Sequence, residues 1–179
     1  MKRVSFVLAI FSALVLAACA AQEGAQSDST SGEDSDMLSV GAQAPGFTAK
    51  THEGETVSLE DYKGEKNVVL IFYPKNKTPG CTKQLCTARD DYSQYNDVDA
   101  AVFGVNPADA DAHQSFVDKY DFPFPLLVDE SMKIADAYGA KGLIPGVPKR
   151  TVVAIGKDGR VAFAERGMPS TSKIVAALR

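Results

Sequence analysis

Two kinds of block alternate along this chain. Short apolar runs bounded by Gly, Pro, Asn or Asp recur at 67–73 (with Val68-Val-Leu-Ile-Phe-Tyr73), Ala100-Ala-Val-Phe-Gly-Val-Asn106, Leu126-Leu-Val128 and Arg150-Thr-Val-Val-Ala-Ile155. They are too short for buried helices and are rich in β-branched and aromatic residues, so they predict buried strands. Between them lie polar stretches with apolar residues at helical spacing: Thr82 to Asn96, Asp109 to Tyr120 with Ala112, Phe116 and Val117, Met132 to Tyr138 closed by Gly139, and Thr171 to Leu178. Two hairpins complete the pattern. Phe47–Thr51 and Thr56–Ser58 flank a turn at His52-Glu-Gly-Glu, and Val161–Glu165 follows strand 150–155 through Lys157-Asp-Gly159. Alternation of this kind predicts an α/β domain: a central mixed sheet with an N-terminal hairpin, its last two strands antiparallel, and helices on both faces.

The first 36 residues do not follow that pattern. Lys2-Arg3 precedes an apolar run from Val4 to Leu16 and then Leu16-Ala-Ala-Cys19. The run is too short to span a bilayer as a helix, and small residues follow it, which predicts an export signal. Leu-Ala-Ala-Cys is similar to the bacterial lipoprotein signal, which implies that Cys19 is acylated and becomes the mature N-terminus. Two or three acyl chains suffice for stable anchoring, so Cys19 is expected to tether an exported domain that faces the periplasm or the cell exterior. Ala20 to Asp36 holds Gly, Ser, Gln, Thr and five carboxylates, with no base and no large apolar side chain. Such a stretch buries too little to offset its ordering entropy and is expected to be a flexible spacer. The expected organisation is therefore a signal over 1–18, a lipidated cysteine with an acidic linker over 19–37, and one domain over 38–179.

Charge sharpens this division. The chain carries 23 acids and 19 bases, a net charge of -4. Five of the acids fall in the spacer and two of the bases precede it, leaving 18 against 17 in the domain. The bases are scattered singly, which argues against nucleic acid as a partner. A domain of this size buries enough surface to stand without disulfides or metal. Three cysteines, one of them a tether, are not a disulfide scaffold.

The remaining pair lies in Pro74-Lys-Asn-Lys-Thr-Pro-Gly-Cys81-Thr-Lys-Gln-Leu-Cys86, between a predicted strand and a predicted helix. Cys81 thus falls where a helix begins, and the unpartnered N–H groups there favour a thiolate, the form in which cysteine attacks. Thr78, three residues earlier, can hydrogen-bond the sulfur or an oxygen held beside it. Pro74 ends the strand, and Pro79 stiffens the loop just ahead of the first turn. On an ideal helix a five-residue separation is about 7.5 Å of rise and roughly 140° of rotation, or about 8.6 Å between Cα atoms. A disulfide needs less than about 7 Å. Two cysteines so placed can bond only if the helix opens, which suits a cycling pair and not a staple.

The run Phe72-Tyr-Pro-Lys-Asn-Lys-Thr-Pro-Gly-Cys-Thr-Lys-Gln-Leu-Cys-Thr-Ala-Arg-Asp90 resembles the active-site signature of the peroxiredoxins, specifically the Q-type or bacterioferritin-comigratory-protein subgroup. Pro74, Thr78 and Cys81 match Pro-x-x-x-Thr-x-x-Cys, and Cys86 matches the second cysteine five residues on. Asn106-Pro107, Phe122 to Asp129 and Arg150-Thr151 follow in the family's order, so the likeness runs over roughly 38–179. It implies a thioredoxin-like fold and a monomeric peroxidase that reduces hydrogen peroxide and organic hydroperoxides. Cys81 is then the nucleophile and passes through a sulfenic acid. Thr78, the Cys81 N–H and Arg150 hold the two oxygens, with Pro74 and Gly80 lining the substrate. Cys86 resolves the sulfenic acid as an intramolecular disulfide that thioredoxin or a similar dithiol reduces. No metal or other cofactor is implied. Many relatives carry Glu or Gln at position 84 and an apolar or aromatic residue at 88; Gln84 here fits that pattern, and the small Ala88 is expected to loosen the packing of the helix.

Two other exported redox modules share the expected fold. A dithiol-disulfide reductase needs C-x-x-C at the helix start, where this chain has Gln84. A copper-binding module needs C-x-x-x-C and a distant histidine. Only His52, in a predicted turn, and His113, on a helix with polar neighbours, are available, and both read as surface residues.

Overall fold

The structure is a computed structural model that describes residues 36–179. The expected signal, Cys19 and nearly all of the spacer lie outside the described residues. Seven strands, β1 (Thr48–Thr51), β2 (Thr56–Ser58), β3 (Asn67–Phe72), β4 (Ala100–Asn106), β5 (Leu126–Val128), β6 (Thr151–Ile155) and β7 (Val161–Arg166), form one sheet in the order β2-β1-β5-β4-β3-β6-β7. β3, β4 and β5 are parallel, while β1, β2, β6 and β7 pair antiparallel with their neighbours. This is the mixed α/β sheet expected from the sequence, with the hairpin β1–β2 and the last two strands in place. Among the described residues five α-helices accompany it: α1 (Pro79–Asp90), α2 (Tyr92–Asn96), α3 (Ala110–Tyr120), α4 (Lys133–Ala137) and α5 (Thr171–Ala176).

Side chains alternate across the pleat and divide the interior into two cores. Val68, Leu70 and Phe72 of β3 face one core, which also holds Phe103, Val105, Ile134 of α4 and Tyr138. Val69, Ile71 and the following Tyr73 face the other, with Leu85 of α1, Tyr95 of α2, Phe116 of α3 and Ile174 of α5. Both faces are covered, so β3 and β4 read as unbroken apolar runs. Gly104 interrupts β4 for a steric reason: a Cβ there would stand 2.5 Å from a Leu126 methyl and 3.2 Å from the Tyr73 ring. Its absence lets Tyr73 pack behind the end of β3.

Two expectations are corrected and one element is added. The segment Thr82–Asn96 is not one helix. It begins three residues earlier, with Thr78 as N-cap and Pro79 at the first helical position, and breaks at Asp91, whose φ of -95° and ψ of 12° leave the α region. A short 3₁₀ turn at Leu59–Tyr62, unanticipated, follows β2 and caps itself through Ser58 and Asp61. His52 and His113 are buried, not exposed. The hairpin turn folds onto β5, where His52 N–H donates to Leu126 O at 3.0 Å and Leu126 N–H donates to His52 Nδ1 at 3.3 Å. His113 shares the inward face of α3 with Phe116, three residues on.

Burial lowers the His113 pKa from 6.5 to about 4, with the carbonyls of Asn106 and Leu127 partly offsetting it and His52 adding to it. The imidazole is neutral in the fold, whereas the unfolded chain takes up its proton at pH 6.5. Folding stability is therefore unaffected by His113 at pH 7 and falls as the pH drops from about 6.5 towards 4. At pH 4.5 the cost is on the order of 2 kcal/mol. Urea unfolding at pH 7 and 4.5 should show that His113→Gln loses less stability on acidification than wild type by about that amount; equal losses contradict this account.

Candidate active site

The end of β3 delivers the chain into a loop, Pro74 to Thr78, that is built around one amide. Asn76 Oδ1 accepts from the Tyr73 hydroxyl at 2.9 Å and from Asn106 Nδ2 at 2.9 Å, and Asn76 Nδ2 donates to Ala112 O at 3.1 Å. The loop is thereby fastened to β3, to the end of β4 and to α3 at once. The ring of His113 closes the cluster, its Nδ1 lying 3.3 Å from Asn76 Nδ2 and 3.4 Å from the Tyr73 oxygen. Burial holds the Tyr73 hydroxyl proton well above its ordinary range, and negative charge on Cys81 adds to that effect, so Tyr73 stays a neutral donor. Lys77 occupies the left-handed region at φ 59°, a conformation disfavoured for a lysine. The surrounding hydrogen bonds hold it there, with Lys77 Nζ donating to Ser115 Oγ at 2.7 Å.

Thr78 ends the loop as N-cap of α1, and its hydroxyl donates back to Lys75 O at 3.2 Å. Thr82 N–H closes the first turn onto Thr78 O at 2.8 Å. The N–H groups of Gly80 and Cys81 precede that bond and have no acceptor within the helix. Cys81 lies in this first turn and is only 1% exposed. Arg150, just ahead of β6, reaches it from 69 residues away: Nη2 stands 3.2 Å from Cys81 Sγ, and Nη1 donates to Gln84 Oε1 one turn further along α1. Gln84 Nε2 reaches Gly167 O at 3.5 Å, while Gly167 N–H donates to Arg150 O at 2.9 Å. A Cβ on Gly80 would lie 3.3 Å from Arg150 Nη2, so the glycine leaves the guanidinium room to approach. A guanidinium fixed at both nitrogens and a helix N-terminus converge on one sulfur, an arrangement that stabilises a thiolate and any oxyanion formed beside it.

Cys86 sits on the same helix, half-buried, and both thiols are free. α1 has weak apolar anchorage. Of its buried residues Cys81, Gln84, Leu85 and Ala88, only Leu85 is a large apolar side chain. Ala88 lines a cavity of about 200 Å³, partly open to solvent, with Gln84, Thr87, Tyr95, Met168 and Ile174. Its small side chain leaves that space unfilled.

The structure thus brings together Cys81, Arg150 and Gly80, places Thr78 at the cap and Cys86 one turn beyond, and sets Pro74 at the mouth of a groove with Asn76 and Pro107. Sequence reasoning did not assign roles to Gln84, Asn76, Tyr73 or the buried His113. Gln84 had a local signal, since residues three apart share a helical face and it stands at that spacing from Cys81. The Asn76 cluster had none, because its members come from three separate segments: 73–76, the end of β4 and α3.

Comparison with known proteins follows the same lines. The model of the AhpC/TSA family matches residues 40–164. Peroxiredoxin Bcp of Bacillus subtilis is 37% identical over 148 residues, covering 79% of this chain and 94% of that protein. A chloroplastic peroxiredoxin Q of Triticum aestivum is 43% identical over 127 residues, 70% of this chain; the chain spans 58% of that protein's length. Among solved structures, peroxidoxin BcpB of Mycobacterium tuberculosis superposes with a TM-score of 0.72 at 28% identity, covering 78% of this chain and 96% of the other. The reduced 2-Cys peroxiredoxin of Plasmodium vivax shares the fold, with a TM-score of 0.70 at 21% identity over 77% of this chain and 79% of its own. A thioredoxin-like sheet, a cysteine at a helix start under an arginine, and a family match over most of the domain agree: the chain belongs to the AhpC/TSA family, as a thiol-dependent peroxidase of the peroxiredoxin Q group.

Proposed function

We propose that Cys81 reduces hydrogen peroxide and organic hydroperoxides and that Cys86 and an external dithiol return it to the thiolate. The observation that carries this reading is the 3.2 Å approach of Arg150 Nη2 to Cys81 Sγ at the start of α1. The thiolate attacks one peroxide oxygen, the O–O bond breaks, and the departing alkoxide or hydroxide takes a proton and leaves as alcohol or water. Cys81 is then a sulfenic acid. Arg150 and the first N–H groups of α1 stabilise charge that develops on the two oxygens, while Thr78, Pro74 and Gly80 shape the space they occupy.

Resolution follows from the helix. The Cys86 thiol attacks the Cys81 sulfur, an S–S bond forms and water leaves. The Cα separation on an intact helix, about 8.6 Å, is too long for that bond, so α1 opens first. The anchorage lost is small: one Leu85, worth about 1.5–3 kcal/mol when buried, two small residues, and the Gln84–Arg150 bond. A dithiol such as thioredoxin then exchanges with the disulfide, releasing both thiols and becoming oxidised itself. In our reading the domain is monomeric, uses no cofactor, and is held by acylated Cys19 to a membrane facing the periplasm or cell exterior, residues 20–37 serving as its tether.

The dithiol-reductase alternative needs a second thiol at position 84; there the Gln84 amide instead holds Arg150.

Three results are expected of the purified enzyme. Cys81→Ser abolishes peroxide consumption, while Cys86→Ser forms the sulfenate in one fast turnover and recycles poorly with thioredoxin; stopped-flow peroxide decay with sulfenate trapping reads both. Arg150→Met leaves the fold intact but lowers the rate of the first oxidation by roughly 100-fold or more, the scale of losing one oxyanion-stabilising donor. Ala88→Leu fills the space under α1, raises the melting temperature and slows Cys81–Cys86 disulfide formation after the oxidation step, measured by quenched-flow thiol alkylation.

A further inference from the structure

Among the described residues, the loop from Gly142 to Pro148 presents two adjacent large apolar side chains outside both cores. Leu143 is 96% exposed and Ile144 67% exposed, with Pro145 beside them. The loop is a braced tip. Lys141 and Pro148 pair across its base, Lys149 N–H donates to Ala140 O at 2.7 Å, and Val147 N–H donates to Ile144 O at 3.1 Å. Gly142 is pressed so closely by the Val147 carbonyl that a Cβ there would stand 2.0 Å from its oxygen. Two adjacent large apolar residues held outward at a stiff turn cost solubility unless something covers them.

Two observations say what covers them. The described chain begins at this same place: the Asp36 carbonyl lies where a Cβ of Gly139 would sit, 1.9 Å away, and Asp36 Oδ2 is 4.0 Å from Lys149 Nζ. The segment that leads back to Cys19 therefore joins the domain beside the base of the loop. The tip is also flanked by cations. Lys141 and Lys149 stand at its two ends, paired with Asp136 at 3.2 Å and Asp36 at 4.0 Å. Lys75 and Lys77, on the active-site loop that shares a groove with Val147, have no carboxylate within 4.0 Å among the described residues. An apolar tip with lysines at its base and on the neighbouring loop is complementary to a lipid surface, the side chains entering the acyl boundary and the ammonium groups meeting anionic headgroups.

We propose that the Leu143–Ile144 tip docks on an anionic lipid bilayer and so seats the active-site loop against the membrane. The inference takes the location of the membrane from the proposed anchor at Cys19, but the tip is a contact of its own and acts without an acyl chain. Because the chain contains no tryptophan, one substitution reports on it. Among the described residues both cores fall within 38–178, and an unacylated chain from Ala20 to Arg179 keeps every one of those side chains.

In that chain, Ile144→Trp should shift its emission to the blue, and be quenched by brominated acyl chains, on vesicles of equal parts phosphatidylcholine and phosphatidylglycerol. Glu65→Trp, beside the N-terminal end of β3 and so at the opposite end of the sheet, should show neither effect. Leu143→Ser with Ile144→Ser should weaken vesicle co-sedimentation at least roughly tenfold and leave hydrogen peroxide turnover in solution unchanged. Emission that does not respond to these vesicles overturns the proposal. So does a blue shift produced without lipid by self-association, which sedimentation velocity detects and which would make the tip a contact between copies of this chain. Failure of the anchor is distinguished separately, as absence of acyl groups on Cys19 of the exported protein.

Discussion

The contact between the Arg150 guanidinium and the Cys81 sulfur is the constraint that organises this domain. It joins two segments that are far apart in sequence, and both arrive from strands that are neighbours in the sheet. Phe72, at the end of β3, pairs with Thr151, the first residue of β6, so Arg150 necessarily emerges beside the loop that carries Cys81. The rest serves that meeting. Gly80 clears the approach, Gln84 occupies the second guanidinium nitrogen, and the Gly167 backbone clasps both Gln84 and the Arg150 carbonyl.

Behind the sulfur lies a polar cluster whose purpose is rigidity. Tyr73, Asn76, Asn106 and His113 are interlocked below the loop, and burial keeps both the tyrosine and the histidine uncharged. A neutral cluster can fix the loop without competing with Arg150 for the thiolate. It also holds Lys77 in a backbone conformation a lysine does not favour. In front of the sulfur the demand is the reverse. In the proposed cycle α1 presents Cys81 to peroxide and later releases it towards Cys86, and its slight anchorage, with Ala88 over an unfilled space, suits a helix that opens. One side of the site is over-determined and the other under-determined.

Much of this was legible in the sequence, for reasons that can be named. Strands buried on both faces appear as continuous apolar runs, so β3, β4, β5 and β6 were found nearly to the residue. The Cys81 motif is local, spanning Pro74 to Cys86, and local spacing is what a sequence displays. Arg150 came from family likeness alone, because no pattern in the chain couples residues 69 apart. Polarity misled at His113: its neighbours on α3 are hydrophilic, yet an amide and a phenol were waiting beneath it, and a histidine with hydrogen-bond partners is not forced to the surface. The break of the active helix at Asp91 was hidden for a related reason, since the side chains on either side remain helical in pattern while the backbone turns.

The central claim is that α1 is intact in the reduced enzyme and opens to let Cys81 and Cys86 bond. Amide hydrogen exchange on the reduced and fully oxidised protein, read residue by residue, tests it directly. The account predicts that oxidation strips protection from residues 82–88 while β3 and β4 keep theirs. A Cys81–Cys86 disulfide mapped in a protein whose α1 amides remain as protected as before would contradict it.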